Sequence, residues 1–246
     1  MNLVLDLLTP DYFVAVAVVV AAGLMRGFAG FGSGMLMAPI FAVLFGPVDT
    51  VAIIILMETC VTVQLIPSVF GEIEWRFVAP MGAAAALFMP VGSWMLVSID
   101  PSVMSRVIAA IVFVFAVILM AGWRYGGGKR MPVTLGIGAV SGTMMAATSL
   151  ANPPVMLYLL SGPDRASSNR ANVTAYFAIT LTMMLALMTF AGLMSWPAVW
   201  QGVTLVPPFM LTAWLGSRLF RRSGESLYRW TSLVLLLIAG AYGLLR

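Results

Sequence analysis

The chain has 246 residues, of which 61% are hydrophobic and 9% are charged, and its formal net charge is +4. A soluble domain carries about 25% charged residues, so this composition excludes a soluble fold and predicts a protein that is solvated by the lipid bilayer. The chain has no histidine and one cysteine, Cys60. This excludes an internal disulfide, a histidine-activated nucleophile and most metal sites. In such a chain the basic residues mark cytoplasmic loops rather than a nucleic-acid partner.

Apolar segments of two kinds alternate with short polar loops. The first kind is interrupted. Segment 11–46 is broken by the glycines of 30–34 and then by Pro39, and segment 132–161 is broken between Ser149 and Pro154. The second kind is continuous and has the roughly 20 residues needed to cross about 30 Å of hydrocarbon. Its members are 50–70, 77–98, 103–123, 170–192, 198–217 and 227–245. Glycine runs and prolines interrupt helical hydrogen bonding, and a broken backbone persists at membrane depth only where protein or a water-filled cavity covers it.

The two halves of the chain share landmarks in the same order. Gly46-Pro47 recurs as Gly162-Pro163, and Thr59 lies in the register of Thr174. The remaining pairs are Pro80 with Pro197, Pro90 with Pro207, and Gly92-Ser93 with Gly216-Ser217. This order predicts an internal duplication, with a first repeat over 1–123, a basic cytoplasmic loop over 124–131 and a second repeat over 132–246.

The distribution of charge predicts how the repeats are oriented. Basic residues cluster in 124–130 and again in 218–229, and both clusters are expected in the cytoplasm. This requires 132–161 to be a re-entrant hairpin of two half-helices, and the same structure for 11–46 places Asp6 and Asp11 outside. We therefore predict an all-α polytopic membrane protein with two inverted repeats, each made of one re-entrant segment and three transmembrane helices. If both segments cross fully, the result is a parallel four-plus-four arrangement that breaks the charge rule at one loop.

The two interrupted segments carry a family resemblance. Gly27-Phe28-Ala29-Gly30-Phe31-Gly32-Ser33-Gly34 followed by Pro39 resembles the first glycine-rich signature of the sulfite exporter TauE/SafE family of membrane permeases. Ser141-Gly142 through Asn152-Pro153-Pro154 resembles its counterpart in the second half, although Thr148, Ser149 and Asn152 depart from the usual glycine cluster. The departure leaves the exact substrate open.

The resemblance implies transport of sulfite, of sulfonates such as sulfoacetate, isethionate and taurine derivatives, or of related anions across the bacterial inner membrane. No cofactor is expected. The expected partners are the small anion, the bilayer and, as one oligomeric option, a second copy of the chain.

The anion site is expected where the two breaks expose helix N-termini. Such ends present free backbone N–H groups and the positive end of the helix dipole. The candidate substrate contacts are Gly32, Ser33, Gly34, Thr59, Ser149, Asn152 and Thr174. The alternative is that the glycines only allow close helix packing, as the spacing of Gly23 with Gly27 suggests.

Two arginines are candidates to bind the anion. Arg26 lies well inside an apolar run, where an arginine costs roughly 2.5–3.5 kcal/mol on insertion scales, and its planar fork suits an oxyanion. The alternative is that it extends to the membrane surface or pairs with a carboxylate such as Glu58. Arg170, with Asn172 beside it, is the second candidate, and its alternative role is an ordinary cytoplasmic anchor.

Glu58 is the candidate proton carrier. A carboxylate inside the membrane suggests a function, and burial favours its protonated form. A structural ion pair is the alternative role.

The function predicted from these features is secondary transport, with a proton as the candidate coupling ion, and not catalysis. The stretch Gly126-Gly127-Gly128-Lys129-Arg130 lacks the Ser or Thr that follows lysine in a phosphate loop. An uncoupled, channel-like pore for a small anion or metal ion is the alternative. A non-transporting assembly subunit is the third interpretation.

Overall fold

The protein is helical throughout the part of the chain that the computed structural model describes, which is residues 9–29, 32–121, 125, 127–150, 152–159, 166–220, 237, 238, 240, 241 and 243. In chain order the helices are α1 (Pro10–Ala29), α2 (Ser33–Phe45), α3 (Pro47–Leu65), α4 (Trp75–Ser98), α5 (Pro101–Met120), α6 (Met131–Thr148), α7 (Asn152–Leu159), α8 (Ala166–Phe190) and α9 (Trp196–Phe220). Two 3₁₀ turns, Ile66–Ser68 and Phe70–Glu72, join α3 to α4. All of these helices except α2 and α7 are long and apolar enough to cross a membrane, which confirms the predicted all-α membrane protein. Most of the predicted span 227–245 lies outside the described residues.

Several helix ends follow from local sequence. Pro47 and Pro101 are the first residues of α3 and α5, a position where proline loses no helical hydrogen bond. Asp100 caps α5, because its Oδ1 accepts hydrogen bonds from the hydroxyl of Ser102 at 2.6 Å and from its backbone N–H at 2.9 Å. These hydrogen bonds, chiefly the one from the Ser102 hydroxyl, hold the pKa of the exposed Asp100 carboxyl below its ordinary value.

The two interrupted segments are divided unequally. The first gives α1 with 20 residues and α2 with 13, and the second gives α6 with 18 residues and α7 with 8. At about 1.5 Å per residue, α1 and α6 have the length of full spans, so each segment consists of one long and one short helix instead of the two half-helices that were predicted. Pro39 lies inside α2 instead of breaking it, so among the described residues of the first segment one helix ends at Ala29 and the next begins at Ser33.

Side-chain contacts place the helix ends at two ends of the bundle. At one end, Ser195 donates to Asp49 at 2.8 Å, so α9 begins beside the start of α3. At the other, Asn172 of α8 contacts Glu74, which precedes α4, and Lys129 lies 3.9 Å from the Glu74 carboxylate. We call these the Asp49 end and the Glu74 end.

Each short helix, α2 or α7, runs back toward the end of the bundle at which the long helix before it began. Thr134, near the start of α6, lies 2.5 Å from the hydroxyl of Tyr158, near the end of α7, so α6 and α7 form an antiparallel hairpin. α2 and α3 are antiparallel about the turn at Gly46, whose φ of 81° suits glycine. Both interruptions therefore lie inside the bundle rather than at its surface.

Two pairs of long helices pack especially closely. Gly142 of α6 lies against the backbone of Ala85 in α4, and Gly92 of α4 lies against the backbone of Thr143, so that residue numbers increase together along the pair. In the same way Gly23 of α1 lies against Phe209 in α9, and Gly216 lies against Leu24. Small residues allow such backbone contact between membrane helices.

Candidate functional site

A buried ion pair joins α1 to α3. Arg26 lies in the last turn of α1 and is 2% exposed, and Glu58 lies in the second half of α3 and is 5% exposed. The Arg26 Nε atom is 3.3 Å from the Glu58 Oε2 atom. This arrangement is the alternative that the sequence offered for Arg26, an intramembrane pair with Glu58.

Two further side chains surround the guanidinium. Its Nη2 donates to the hydroxyl of Thr62 at 3.5 Å, and its Cζ lies 5.0 Å from the centre of the Phe177 ring in α8. A cation over an aromatic face is attracted by the ring quadrupole. Helices from both halves of the chain therefore hold one buried positive charge.

Ser33 connects the break in the first half to this pair. It is the first residue of α2, it is fully buried, and its hydroxyl donates to Oε1 of Glu58. Ser33 precedes Gly46 by 13 positions and Glu58 follows it by 12, so the antiparallel helices bring the two residues level. Twelve residues of helix are about 18 Å, which places this contact near the middle of a hydrocarbon layer about 30 Å thick.

The break in the second half lies next to the first. A Cβ atom on Gly34 would be 3.5 Å from the carbonyl oxygen of Ser149. Ser149 ends α6 with a φ of 58°, and Gly32 precedes α2 with a φ of 93°. Left-handed conformations interrupt both segments at their point of contact, as the two glycine- and proline-rich motifs predicted.

The other predicted residues lie in different places. The hydroxyl of Thr59 donates to the Ile55 carbonyl within α3 at 2.6 Å, and that of Ser149 donates to Thr148 at 2.6 Å. Asn172 lies at the Glu74 end, where it accepts from the Glu74 backbone N–H at 2.7 Å. Thr174 is buried in α8. The side chains of Asn152 and Arg170 lie outside the described residues.

Thr62 and Phe177 contact Arg26 but are not among the site residues predicted from the sequence. Thr62 is one helical turn after Glu58, so an i, i+4 comparison would have found it on the same face. Phe177 gave no such signal, because an aromatic residue in an apolar helix is indistinguishable from a packing residue.

A guanidinium binds carboxylates and other oxyanions through the same kind of charge-assisted hydrogen bonds. In this structure the Glu58 carboxylate lies beside the guanidinium of Arg26. Removing one partner of a buried ion pair costs about 3–5 kcal/mol. Arg26 therefore needs a negatively charged partner at all times, and Glu58 would leave it only if an anion took its place. Within the described residues no group of three or more Cys, Asp or Glu side chains could hold a metal ion.

Comparison with known proteins bears on the whole chain. Residues 15–243 match the family model described as sulfite exporter TauE/SafE. A comparison with curated proteins and one with solved structures gave no match. The matched region contains Arg26, Ser33 and Glu58, the whole of segment 132–161 and residues 15–46 of the first interrupted segment. Since the match covers nearly the entire chain, the protein belongs to the sulfite exporter TauE/SafE family of membrane transporters.

Proposed function

We propose that the protein is a secondary transporter that carries a small sulfur oxyanion or organosulfonate across the bacterial inner membrane, with Arg26 as its anion-binding residue. The observation that carries the proposal is the buried Arg26–Glu58 pair at the junction of the two breaks. Charged side chains are costly inside a membrane and usually mark a substrate or ion pathway.

Charge balance suggests how a proton is coupled to the anion. With Glu58 ionised, the guanidinium and the carboxylate cancel. If Glu58 takes up a proton, an anion can take its place beside Arg26 and the site stays neutral. Ser33 is then released from the carboxylate and can donate its hydroxyl to the anion, together with the backbone N–H groups that begin α2.

We also propose that the halves are inverted repeats. The contact of Gly142 with Ala85 corresponds to that of Gly23 with Phe209, as expected if α6 and α4 are the counterparts of α1 and α9. The directions of the helices support insertion of the two halves into the membrane with opposite orientations. α9 begins at the Asp49 end and runs beside α3 in the same direction, since Gly202 faces Ile53 and Leu56. Arg218, near its other end, is therefore at the Glu74 end together with Lys129.

Lys129 and Arg218, which belong to the two basic clusters, are then on one side of the membrane, and the positive-inside rule makes the Glu74 end cytoplasmic.

The proposal is tested by flux into proteoliposomes. A panel of sulfite, sulfate, taurine, isethionate and sulfoacetate is offered with and without a pH gradient. At least one anion is expected to accumulate on the alkaline side faster than in protein-free liposomes. A panel in which no member exceeds the protein-free rate refutes the assigned substrate class.

Glu58→Gln tests the coupling. The amide cannot ionise, so the variant is expected to bind the anion that the panel identifies but to lose its pH-driven accumulation. Asp49→Asn, which changes a carboxylate at the Asp49 end, is the control and is expected to keep pH-driven accumulation. Wild-type pH dependence in Glu58→Gln would reduce Glu58 to a structural role, and wild-type flux without any response to the gradient would favour the channel.

A further inference from the structure

One buried face of α8 is polar from the Glu74 end to the level of Arg26. Asn169, Asn172, Tyr176 and Thr180 are each 6% exposed or less, and their spacing of three, four and four residues places them on the same face. The first three lie about 4.5, 9 and 15 Å along the helix from Ala166. Phe177, which contacts Arg26, is the next residue. The polar face therefore reaches the level of the ion pair. Thr180 lies one turn beyond it, and its hydroxyl donates to the Tyr176 and Phe177 carbonyls of its own helix.

The side chains facing this stripe are also polar. The Tyr176 hydroxyl donates to Ser141 of α6 at 2.8 Å. The Asn169 Oδ1 atom is buried and accepts no hydrogen bond from any residue that the structure describes. Burying an amide oxygen without a partner is unfavourable, so this atom indicates a place where water supplies the hydrogen bond.

The route from Arg26 to the Asp49 end is different. The buried side chains of α1, α2 and α3 on that side include Val19, Met37, Phe41 and Ile54. Thr50 is buried there as well, but its hydroxyl donates to the Gly46 carbonyl of its own turn at 2.7 Å. Along these three helices an anion would lose its hydration and find few hydrogen bonds in exchange. The buried Nε1–H of Trp200 in α9, which has no partner among the described residues, lies near the Asp49 end of this route.

We infer that the polar stripe of α8 is the path between Arg26 and the Glu74 end, and that the cluster around Glu74 closes this path. The inference rests on the proposed function and adds the route to it. Glu74 Oε1 accepts from Ser168 at 2.7 Å and from Asn172 at 3.2 Å, and Lys129 approaches the other oxygen. These contacts link the starts of α4 and α8 to the basic loop at the mouth of the path. Moving the loop or α8 breaks them together.

Cysteine labelling tests the path without any transported substrate. In a Cys60→Ala background, Ser141→Cys and Asn169→Cys place thiols on the path. Ala38→Cys and Ala52→Cys place equally buried thiols in α2 and α3 as controls. The probe is a membrane-impermeant, anionic methanethiosulfonate, applied to vesicles of either orientation that contain monodisperse protein. Ser141→Cys changes one atom, so it remains informative if Asn169→Cys does not fold.

The path thiols are expected to react from the side of the 127–130 loop about tenfold or more faster than the controls, since a factor of ten requires only about 1.4 kcal/mol in the free energy of opening. Equal rates for path and control thiols, or reaction of the path thiols from the Asp49 end alone, would overturn the inference. Glu74→Gln is expected to accelerate labelling at position 141 several-fold, and an unchanged rate would remove Glu74 as the closing residue. If an anion is transported but the path thiols react no faster than the controls, the route is rejected and the proposed function stands. If the path thiols react faster but no anion of the panel is transported, the proposed substrate class is rejected and the route stands.

Discussion

A single charged side chain such as Arg26 or Glu58 is unfavourable in the hydrocarbon layer of a membrane. Pairing the two side chains offsets most of this unfavourable free energy. The sequence suggested this pair, because charged residues inside a membrane are rare enough to be compared with each other directly. It did not give Phe177, which lies 151 positions from Arg26 and has no charge to attract attention. A buried ion pair contributes little net stability compared with apolar side chains of similar volume. Its presence at the meeting point of two breaks therefore favours a functional role.

Substitution of Arg26 separates charge from geometry. Arg26→Lys keeps the charge but loses the planar fork, and it is expected to weaken anion binding. Arg26→Ala is expected to weaken it by about tenfold to a hundredfold, since hydrogen bonds to charged groups contribute about 1.5–3 kcal/mol. The measurement is equilibrium binding of the anion that the flux panel identifies.

Arg106→Ala, at an exposed position of α5, is the matched control and is expected to bind like the wild type. Because Arg26→Ala leaves Glu58 unpaired, the double variant Arg26→Ala/Glu58→Gln is measured as well. Wild-type affinity in either monodisperse Arg26 variant would remove this residue from the site.

At the scale of helices, glycines determine which elements touch. Gly142, Gly92, Gly23 and Gly216 permit backbone contact in the two closely packed pairs. For Gly23, the packing role that was the alternative in the sequence analysis is the one observed. The positions of the breaks were predictable from glycine, since Gly32 has a positive φ. The unequal helix lengths were not, because Pro39 was expected to end a helix. Proline inside a membrane helix is tolerated when neighbouring groups satisfy the freed carbonyl.

Gly142→Leu tests this packing against a matched control. A side chain at position 142 would overlap the backbone of Ala85, and overpacking typically costs about 1–3 kcal/mol. Gly136 belongs to the same helix, and a Cβ atom there would meet nothing within 4 Å. Gly142→Leu is expected to lower the midpoint of thermal unfolding in detergent, measured by loss of the monodisperse peak, whereas Gly136→Leu is not. Equal midpoints would contradict the close α4–α6 contact.

For the whole molecule, hydropathy predicted the number and kind of segments but not which helices are neighbours. α1 packs on α9, which begins 186 positions later, and no local pattern encodes such a pairing. The positive-inside rule gave the most information about the arrangement of distant segments, because it required 124–130 and 218–229 to lie on the same side of the membrane. The helix contacts that place Lys129 and Arg218 at the Glu74 end are consistent with this requirement.

Single cysteines in the Cys60→Ala background test the arrangement. Gly128→Cys and Arg222→Cys are expected to react with an impermeant maleimide from the cytoplasmic side. Ser98→Cys, exposed at the end of α4, is expected to react from the other side. Labelling of positions 128 and 222 from opposite sides would exclude the inverted repeats and favour the parallel four-plus-four arrangement.

The long separation between α1 and α9 has a consequence for biosynthesis. At about 5–20 residues per second, Glu58 leaves the ribosome roughly 2–6 s after Arg26, whereas α9 begins to emerge roughly 9–37 s after α1. During that interval the nascent first helix has no α9 to cover Gly23. Glu58, on the helix next but one, is available to neutralise Arg26 early. The carboxylate for which we propose an exchange with the anion in the mature protein thus lets a charged helix remain in the membrane until its packing partner is made.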